Sequence, residues 1–157
     1  MVWTLDGARE LRAGWDGREG RALVKQVVLF LCPHNAAKSV LAAAYFNQLA
    51  QQDGLPFLAD SAGTEPEAAV SPAVRAMLAY DGIDVSSYVP RQVTRGDMQT
   101  SAHIISMGCD AEDLGVAAAR VIVWSDVPPV SQQPEQASAV IRAHVERLIA
   151  ELRTSSR

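Results

Sequence analysis

The chain has 157 residues, of which 48% are hydrophobic and 20% charged, and its formal net charge is −4. This length gives room for one domain, and the composition is typical of globular proteins rather than of disordered or coiled-coil ones. The charge provides no general attraction to nucleic acid or to an anionic membrane, so we expect neither partner. The longest apolar run, Val40–Phe46, is far shorter than the ~18 residues of a membrane span.

The N-terminal residues read differently from the rest of the chain. Four glycines and a cluster of charges surround a few apolar residues between positions 6 and 21, a pattern that favours neither helix nor strand. We interpret residues 1–23 as an extension and residues 24–157 as the domain. Trp3 and Trp15 could pin the extension to the domain or to a partner chain, which leaves oligomerisation open. The N-terminus has no apolar signal core, so we expect a cytoplasmic protein.

Regular patterns begin after residue 24. Val27–Leu31 is a continuous apolar run, typical of a central strand covered on both faces. Ser39–Gln52 has apolar residues at helical spacing, and Asp53-Gly54 predicts its end. Phe57–Ser61 predicts a second strand. Ser71-Pro72 has the pattern of a helix start, and this helix is expected to run to Tyr80.

The second half of the chain continues the alternation. The patterns predict a short helix over Gly96–Thr100, strands over His103–Met107 and Val121–Trp124, and a long amphipathic helix over Pro134–Arg153. Strands that alternate with helices at this spacing predict a single three-layer αβα domain of the α/β class with a four-stranded, mainly parallel sheet. The loops that follow the strands then share one edge, where such sheets bind ligands.

The loop Cys32–Ser39 joins the first buried strand directly to a helix N-terminus. Successive backbone N–H groups in such a loop can form an anion nest, to which the helix dipole adds positive potential. We therefore predict oxyanion binding by six residues: His34, Asn35, Ala36, Ala37, Lys38 and Ser39. The same potential favours the thiolate form of Cys32, and a thiolate beside an anion cradle can attack phosphorus or arsenic. The alternative is that Cys32 is a buried structural thiol.

The segment VVLFLCPHNAAKS resembles the signature loop of the low-molecular-weight protein tyrosine phosphatase superfamily, which includes thiol-dependent arsenate reductases. Cys32, Asn35 and Ser39 match that loop in place. DSAGTEP, SPAVRAMLAYDGIDVSSYVPRQVT and ISMGCD resemble later segments of the family in the same order, so the similarity extends from about Val24 to Leu152. The resemblance implies that Cys32 is the nucleophile and that a thiophosphoryl intermediate forms on it.

Three departures from the family pattern bear on activity. Lys38 stands where the family has Arg. An ammonium group, which is a point charge, therefore replaces a planar guanidinium group that can donate two parallel hydrogen bonds. Ala37 stands where thioredoxin-coupled reductases have a second loop cysteine, which excludes a disulfide between Cys32 and position 37. The family's Asp-Pro acid falls on Pro128-Pro129 here, which leaves Asp126 as the carboxylate available for protonating the leaving group. The alternative for Asp126 is a turn or helix-entry residue.

The resemblance also suggests a redox role for Cys109, as a resolving thiol for an adduct on Cys32. Packing at a strand end is the alternative for this residue. No ligand spacing supports a metal site, so we expect neither a metal nor a cofactor. Arg91 could approach the edge of the loop, although a surface charge is the simpler interpretation. We expect His103 at a strand start and His144 on a helix surface.

The leading hypothesis is a cysteine-dependent phosphomonoester phosphatase, with phosphotyrosine as one candidate substrate. In it Cys32 attacks, Lys38 and the loop amides hold the oxyanion, and Asp126 is the acid. The second hypothesis is an arsenate reductase-like oxidoreductase that uses Cys32 with Cys109 or an external thiol reductant. A catalytically impaired oxyanion-binding protein is the third. The expected partners are accordingly phosphate, a phosphoprotein or an arsenate-like oxyanion.

Overall fold

A computed structural model describes residues 3–4, 25–110, 114–117 and 120–155 of the chain. The first half contains strands β1 (Trp3–Thr4), β2 (Gln26–Leu31), β3 (Phe57–Ala62) and β4 (Ile83–Asp84), with helices α1 (Lys38–Gln52) and α2 (Pro72–Tyr80). The second half contains α3 (Arg95–Thr100), β5 (His103–Ser106), β6 (Val121–Val123) and α4 (Pro134–Ser155). The patterns in the sequence predicted these elements, apart from β1 and β4, to within one or two residues at each end.

The main sheet has four strands in the order β3-β2-β5-β6, and every neighbouring pair is parallel. Val28 of β2 lies opposite Ala59 of β3 on one side and His103 of β5 on the other. The prediction of a single α/β domain with a four-stranded parallel sheet is confirmed. Since β2 is central and covered on both faces, its continuous apolar run is buried from Val28 onward.

Two hydrophobic clusters cover the two faces of this sheet. Alternate residues of a strand point to opposite faces, so Val28 and Phe30 join α1 and α4 in the larger cluster. Leu29 and Leu31 join Met98 of α3 in the smaller one. The domain therefore has the expected three layers, with the sheet between helices.

The strand order places the loop after β2 at a switch point of the topology. From β2 the chain crosses to β3 on one side, and later returns to β5 on the other side. In parallel α/β sheets the crevice for ligands opens where neighbouring crossovers diverge in this way, outside the carboxyl ends of the strands. Cys32 follows Leu31 directly and therefore lies at this crevice.

A second, two-stranded parallel sheet pairs β1 with β4, so that Trp3 lies opposite Ile83 and Thr4 opposite Asp84. The sequence patterns did not predict either of these two-residue strands. Trp15 and the other residues of positions 5–24 lie outside the described residues. The division into an extension at 1–23 and a domain at 24–157 stays a prediction.

Candidate functional site

The loop Cys32–Ser39 has its carbonyl groups turned away from the crevice. The segment after β3 donates to them: the Glu65 N–H to Pro33 O at 2.7 Å, the Glu67 N–H to His34 O at 3.0 Å, and the Ser71 N–H to Ala36 O at 2.9 Å. In a trans peptide unit the C=O group and the N–H group of the next residue point in opposite directions. These outward carbonyls therefore leave the N–H groups of His34, Asn35 and Ala37 facing inward.

Five consecutive backbone N–H groups of this loop have no acceptor in the part of the chain that the structure describes. They belong to His34, Asn35, Ala36, Ala37 and Lys38. Most buried backbone N–H groups in proteins are paired, so a run of this kind is the signature of an anion-binding nest. Pro33, which has no N–H, precedes the run and interrupts nothing in it.

The N-terminus of α1 adds to this nest. Ala37 is the N-cap residue and makes no side-chain capping bond, and the first turn contains no acidic residue. Neither a capping side chain nor an acidic residue of the first turn therefore neutralises the positive end of this helix, which is 15 residues long. An oxyanion bound in the loop could supply the missing acceptors.

The sulfur of Cys32 lies at the start of this nest, and its side chain is 4% exposed. The Ser39 N–H donates to Cys32 Sγ at 3.4 Å, and the Cys32 thiol donates to Ser39 Oγ at 3.0 Å. When the thiol loses its proton, the Ser39 hydroxyl can donate in the opposite direction, so both Ser39 groups stabilise a thiolate. This geometry is suited to a sulfur nucleophile.

Asn35 holds the loop in shape from inside. Its backbone has φ of +48°, a left-handed conformation that Asn tolerates better than most residues. Its Nδ2 donates to Ser39 Oγ at 2.8 Å and to Ser61 Oγ at 3.0 Å. Its Oδ1 accepts from the Arg91 N–H at 2.9 Å. Because a backbone N–H can only donate, the orientation of the Asn35 amide is fixed.

Tyr88 closes this hydrogen-bond network, which we call the Asn35 network (Asn35, Ser39, Ser61 and Tyr88). The Tyr88 hydroxyl donates to Asn35 Oδ1 at 2.9 Å and lies 2.5 Å from Ser61 Oγ. The Asn35 amide fixes Ser39 Oγ as an acceptor, which leaves the Ser39 proton available for Cys32. Sequence reasoning did not assign Tyr88 or Ser61 to the site. Ser61, near the end of β3, could have been found from the shared sheet edge.

Gly63 allows the segment after β3 to pack against the loop. A Cβ at this position would lie 2.5 Å from Pro33 O and 2.7 Å from Cys32 O, distances that no side chain accepts. These are backbone atoms that cannot turn aside. The glycine of the DSAGT segment is therefore needed for the close approach of two backbones.

Lys38 is the first residue of α1 and is half-buried. In the described part of the chain its ammonium group makes no ion pair or hydrogen bond. Because no carboxylate of the described residues pairs with this ammonium group, its charge is available to attract an anion in the loop. Lysine presents this charge as a point rather than as a planar fork.

The guanidinium of Arg91 does not face the nest. It donates to Asp97 at 2.7 and 3.1 Å and to Asp60 at 2.8 Å, and both carboxylates are buried. Arg91 contacts the loop through its backbone, by the bond to Asn35. The interpretation of Arg91 as a surface charge was therefore wrong, because two carboxylates from β3 and α3 draw its side chain inward.

Cys109 follows β5 at the same sheet edge and is 8% exposed. Its Sγ lies 3.9 Å from Thr64 Oγ1. Burial raises the pKa of the Cys109 thiol, so this sulfur is protonated near neutral pH. Cys109 is thus a poorer nucleophile in this state than a free surface thiol.

His34 is exposed at the mouth of the loop. Its Nδ1 lies 3.2 Å from Glu65 O and 4.0 Å from a carboxylate oxygen of Glu67. The rim on this side of the nest is therefore polar and carries acidic groups.

Asp126 follows β6, and its carboxylate is turned onto α4. The Oδ1 atom of Asp126 lies 2.7 Å from His144 Nε2, and the side chain is 63% exposed. The hydrogen bond with His144 lowers the pKa of Asp126. The structure therefore brings Cys32, Lys38 and the loop amides together, whereas it places the Asp126 carboxylate against a different element. Its role as an acid stays a prediction.

Among the described residues no group of three or more His, Cys, Asp and Glu side chains could hold a metal ion. Within the same residues, no helix has the length and the apolar character needed to cross a membrane.

Comparisons with known proteins identify the family. The family model of the low molecular weight phosphotyrosine protein phosphatases matches residues 27–122. The chain belongs to this family. The match runs from β2 through β6, and so includes the nest, the Asn35 network and Cys109. The resemblance drawn from the sequence is confirmed.

Individual relatives within and around this family carry different names. A Halobacterium salinarum protein named "Putative arsenate reductase" is 26% identical over 127 residues, which are 78% of this chain and 87% of that one. The crystal structure of YfkJ from Bacillus subtilis has a TM-score of 0.74 and 26% identity, covering 90% of this chain and 100% of that one. A low molecular weight protein tyrosine phosphatase from T. tengcongensis has a TM-score of 0.71 at 20% identity, with 81% and 99% covered. Both phosphatases and arsenate reductases are thus similar to this chain.

Proposed function

We propose that the chain hydrolyses phosphate monoesters through a covalent intermediate on Cys32. The observation that carries the proposal is the position of Cys32 Sγ, which begins a run of five inward amides and receives the Ser39 N–H at 3.4 Å. A nucleophile and an oxyanion cradle in one loop are the equipment of phosphoryl transfer.

The first step forms the intermediate. The Cys32 thiolate attacks phosphorus, the sulfur–phosphorus bond forms, and the bond from phosphorus to the ester oxygen breaks. The nest amides and the Lys38 ammonium stabilise the three non-bridging oxygens. The leaving oxygen takes a proton from Asp126, once that residue is protonated and free of His144.

The second step releases phosphate. Water attacks phosphorus while the Asp126 carboxylate accepts a proton from it, and the sulfur–phosphorus bond breaks. The sulfur leaves as the thiolate, which Ser39 stabilises through its N–H and hydroxyl groups. The cycle consumes one water molecule and needs no cofactor.

The test is hydrolysis of an aryl phosphate by the wild-type protein and by the variants C32S and C109S. We expect activity in the wild type and in C109S, and none in C32S, because serine is a far weaker nucleophile at neutral pH. Equal rates in C32S and wild type would contradict the proposal. Activity absent from all three, with phosphate still bound, would favour the oxyanion-binding alternative.

Arsenate reduction is the second candidate, supported by Cys109, which follows β5 at the sheet edge where Cys32 follows β2, and by a relative that carries that name. Here the Cys32 thiolate forms a sulfur–arsenic bond as one arsenate oxygen leaves as water. Cys109 then attacks the Cys32 sulfur, the sulfur–arsenic bond breaks, and its electron pair leaves with arsenite as the disulfide forms. An external thiol must then reduce the disulfide. Arsenate-dependent thiol consumption in the wild type that is lost in C109S would support this candidate, and an unchanged rate in C109S would exclude Cys109 as the resolving thiol.

A further inference from the structure

The contact between Asp126 and His144 bears on when Asp126 can act as an acid. As a proton donor, Asp126 must carry a proton and must reach the leaving oxygen at Cys32. In this structure its carboxylate is bonded to His144 Nε2 at 2.7 Å, on α4, and this bond favours the ionised form.

His144 is held firmly in its position on α4. Its ring stacks on the indole of Trp124, with 4.6 Å between centroids and 12° between planes. Trp124 is buried and packs in turn on Phe30, with 5.6 Å between ring centroids. The imidazole is 18% exposed, whereas the Asp126 side chain is 63% exposed. The ring is therefore the fixed member of the pair, and the carboxylate is the one that can move.

The His144 ring lines a groove to which the nest does not contribute. The groove around the His144 ring is lined by β5, β6 and α4, through Ile105, Ile122, Trp124, His144, Arg147, Leu148 and Glu151. No residue of the loop Cys32–Ser39 contributes to it. Arg147 also favours the Asp126 carboxylate electrostatically, and Glu151 is the acidic group of the groove.

We propose that His144 is a positioning residue for Asp126: it holds the Asp126 carboxylate on α4 in the free protein, and the pair must open before Asp126 can serve Cys32. The proposal rests on the proposed function of Cys32 and Asp126. The Asp126 side of the contact is 63% exposed, and a hydrogen bond to an exposed carboxylate opens at little cost, so substrate binding can shift Asp126 toward the nest. In the open state Asp126 loses the hydrogen bond that keeps it ionised, and it can take a proton from solvent.

Kinetic pH profiles of two variants test this role. H144F keeps a ring that can stack on Trp124 and removes the hydrogen bond, whereas H144Q keeps an N–H donor and removes the imidazole ring. The substrates are phenyl phosphate, whose leaving oxygen needs a proton, and 2,4-dinitrophenyl phosphate, whose leaving group departs without one. The same substitutions are made in a D126N background, and thermal unfolding checks that each variant folds.

We expect H144F to raise kcat/KM for phenyl phosphate about three- to tenfold near pH 7, because losing the hydrogen bond from His144 raises the pKa of Asp126 and with it the protonated fraction. The alkaline limb of the profile should move to higher pH. H144Q should show a smaller change in the same direction. Hydrolysis of 2,4-dinitrophenyl phosphate should change little, and no effect should remain in the D126N background.

Three kinetic results would overturn the proposal. One is a profile of H144F that superimposes on that of the wild type. Another is an H144F effect that persists in D126N. The third is a fall in kcat/KM confined to phenyl phosphate, which would mean that His144 supplies the proton rather than withholding it.

A measurement without turnover separates this proposal from the proposed function. Carboxyl-carbon NMR titration of Asp126 in the C32S background should show a higher midpoint with H144F, and no change with E151Q, which alters the same groove without touching Asp126. An equal midpoint in H144F and its parent would overturn the role of His144 even in an active enzyme. A raised midpoint together with an inactive wild type would support the His144 contact and contradict the proposed function.

Discussion

Asn35 is the residue on which the shape of the site depends most. Its left-handed backbone turns the loop, and its amide satisfies groups from three other segments of the chain. The family resemblance predicted the position of Asn35. It could not predict Tyr88, because that side chain lies 53 residues away in a mostly polar stretch and no local pattern distinguishes it from other tyrosines. A contact of this kind depends on how the packed fold brings distant segments together.

The variant Y88F should lose stability while keeping the same shape at position 88. The Tyr88 hydroxyl donates to Asn35 Oδ1 and pairs with Ser61 in a buried network, and removing one partner from such a network costs about 1–3 kcal/mol. The matched control is Y80F, because Tyr80 is 93% exposed. Urea unfolding of both variants at neutral pH measures the difference. Equal unfolding free energies for Y88F and Y80F would show that the network contributes nothing.

At the scale of elements, the periodicity of apolar residues in the sequence predicted which helices and strands form and which of their faces are buried. The stripe from Val140 to Leu152 forms the buried face of α4, and the continuous run of β2 forms the central strand. The two-residue strands β1 and β4 are too short to show any period, so no pattern could predict their pairing. A capping box, in which Thr94 and Asp97 exchange hydrogen bonds, stabilises the N-terminus of the short helix α3.

The carboxylate of Asp97 couples α3 to the stability of the fold. Burial disfavours its ionisation, but hydrogen bonds from Arg91 and Thr94 outweigh burial and lower the pKa of Asp97. Because this pKa is lower in the folded than in the unfolded chain, the ionised carboxylate stabilises the fold above the ordinary Asp value. That contribution is lost as the pH falls below about 4 toward the folded value.

The variant D97N should therefore be less stable than the wild type at neutral pH, by about 2–3 kcal/mol for a lost charge-assisted hydrogen bond. Its unfolding free energy should also fall less steeply than that of the wild type as the pH decreases through the acidic range. Chemical unfolding between pH 7 and pH 3 measures both effects. D110N, a change at an exposed residue, should follow the wild type. A D97N curve parallel to the wild-type curve would contradict the role of Asp97.

For the whole molecule, topology explains why the sequence predicted where the site lies better than which side chains serve it. Parallel strands in the order β3-β2-β5-β6 bring the segments after Leu31, Ala62, Ser106 and Val123 to one edge, and this follows from the alternation of elements alone. Where the side chains of Arg91 and Asp126 point depends on partners in other elements, namely Asp60 and Asp97 for the first and His144 for the second. Such partners cannot be found without the packed structure.

The nest should make the stability of the whole protein depend on phosphate. A ligand at ten times its dissociation constant stabilises the folded state by about 1.4 kcal/mol, which corresponds to a rise in unfolding temperature of about 3–6 °C for a domain of this size. Lys38 is the cation of the loop and has no ion-pair partner among the described residues, whereas Lys25 is exposed and precedes β2. K38A should therefore need a much higher phosphate concentration for the same rise, and K25A should behave as the wild type. Thermal unfolding in phosphate, against chloride at equal ionic strength, separates specific binding from screening. A wild-type unfolding temperature that phosphate leaves unchanged, or equal shifts in K38A and K25A, would show that the five amides and Lys38 do not form an oxyanion site.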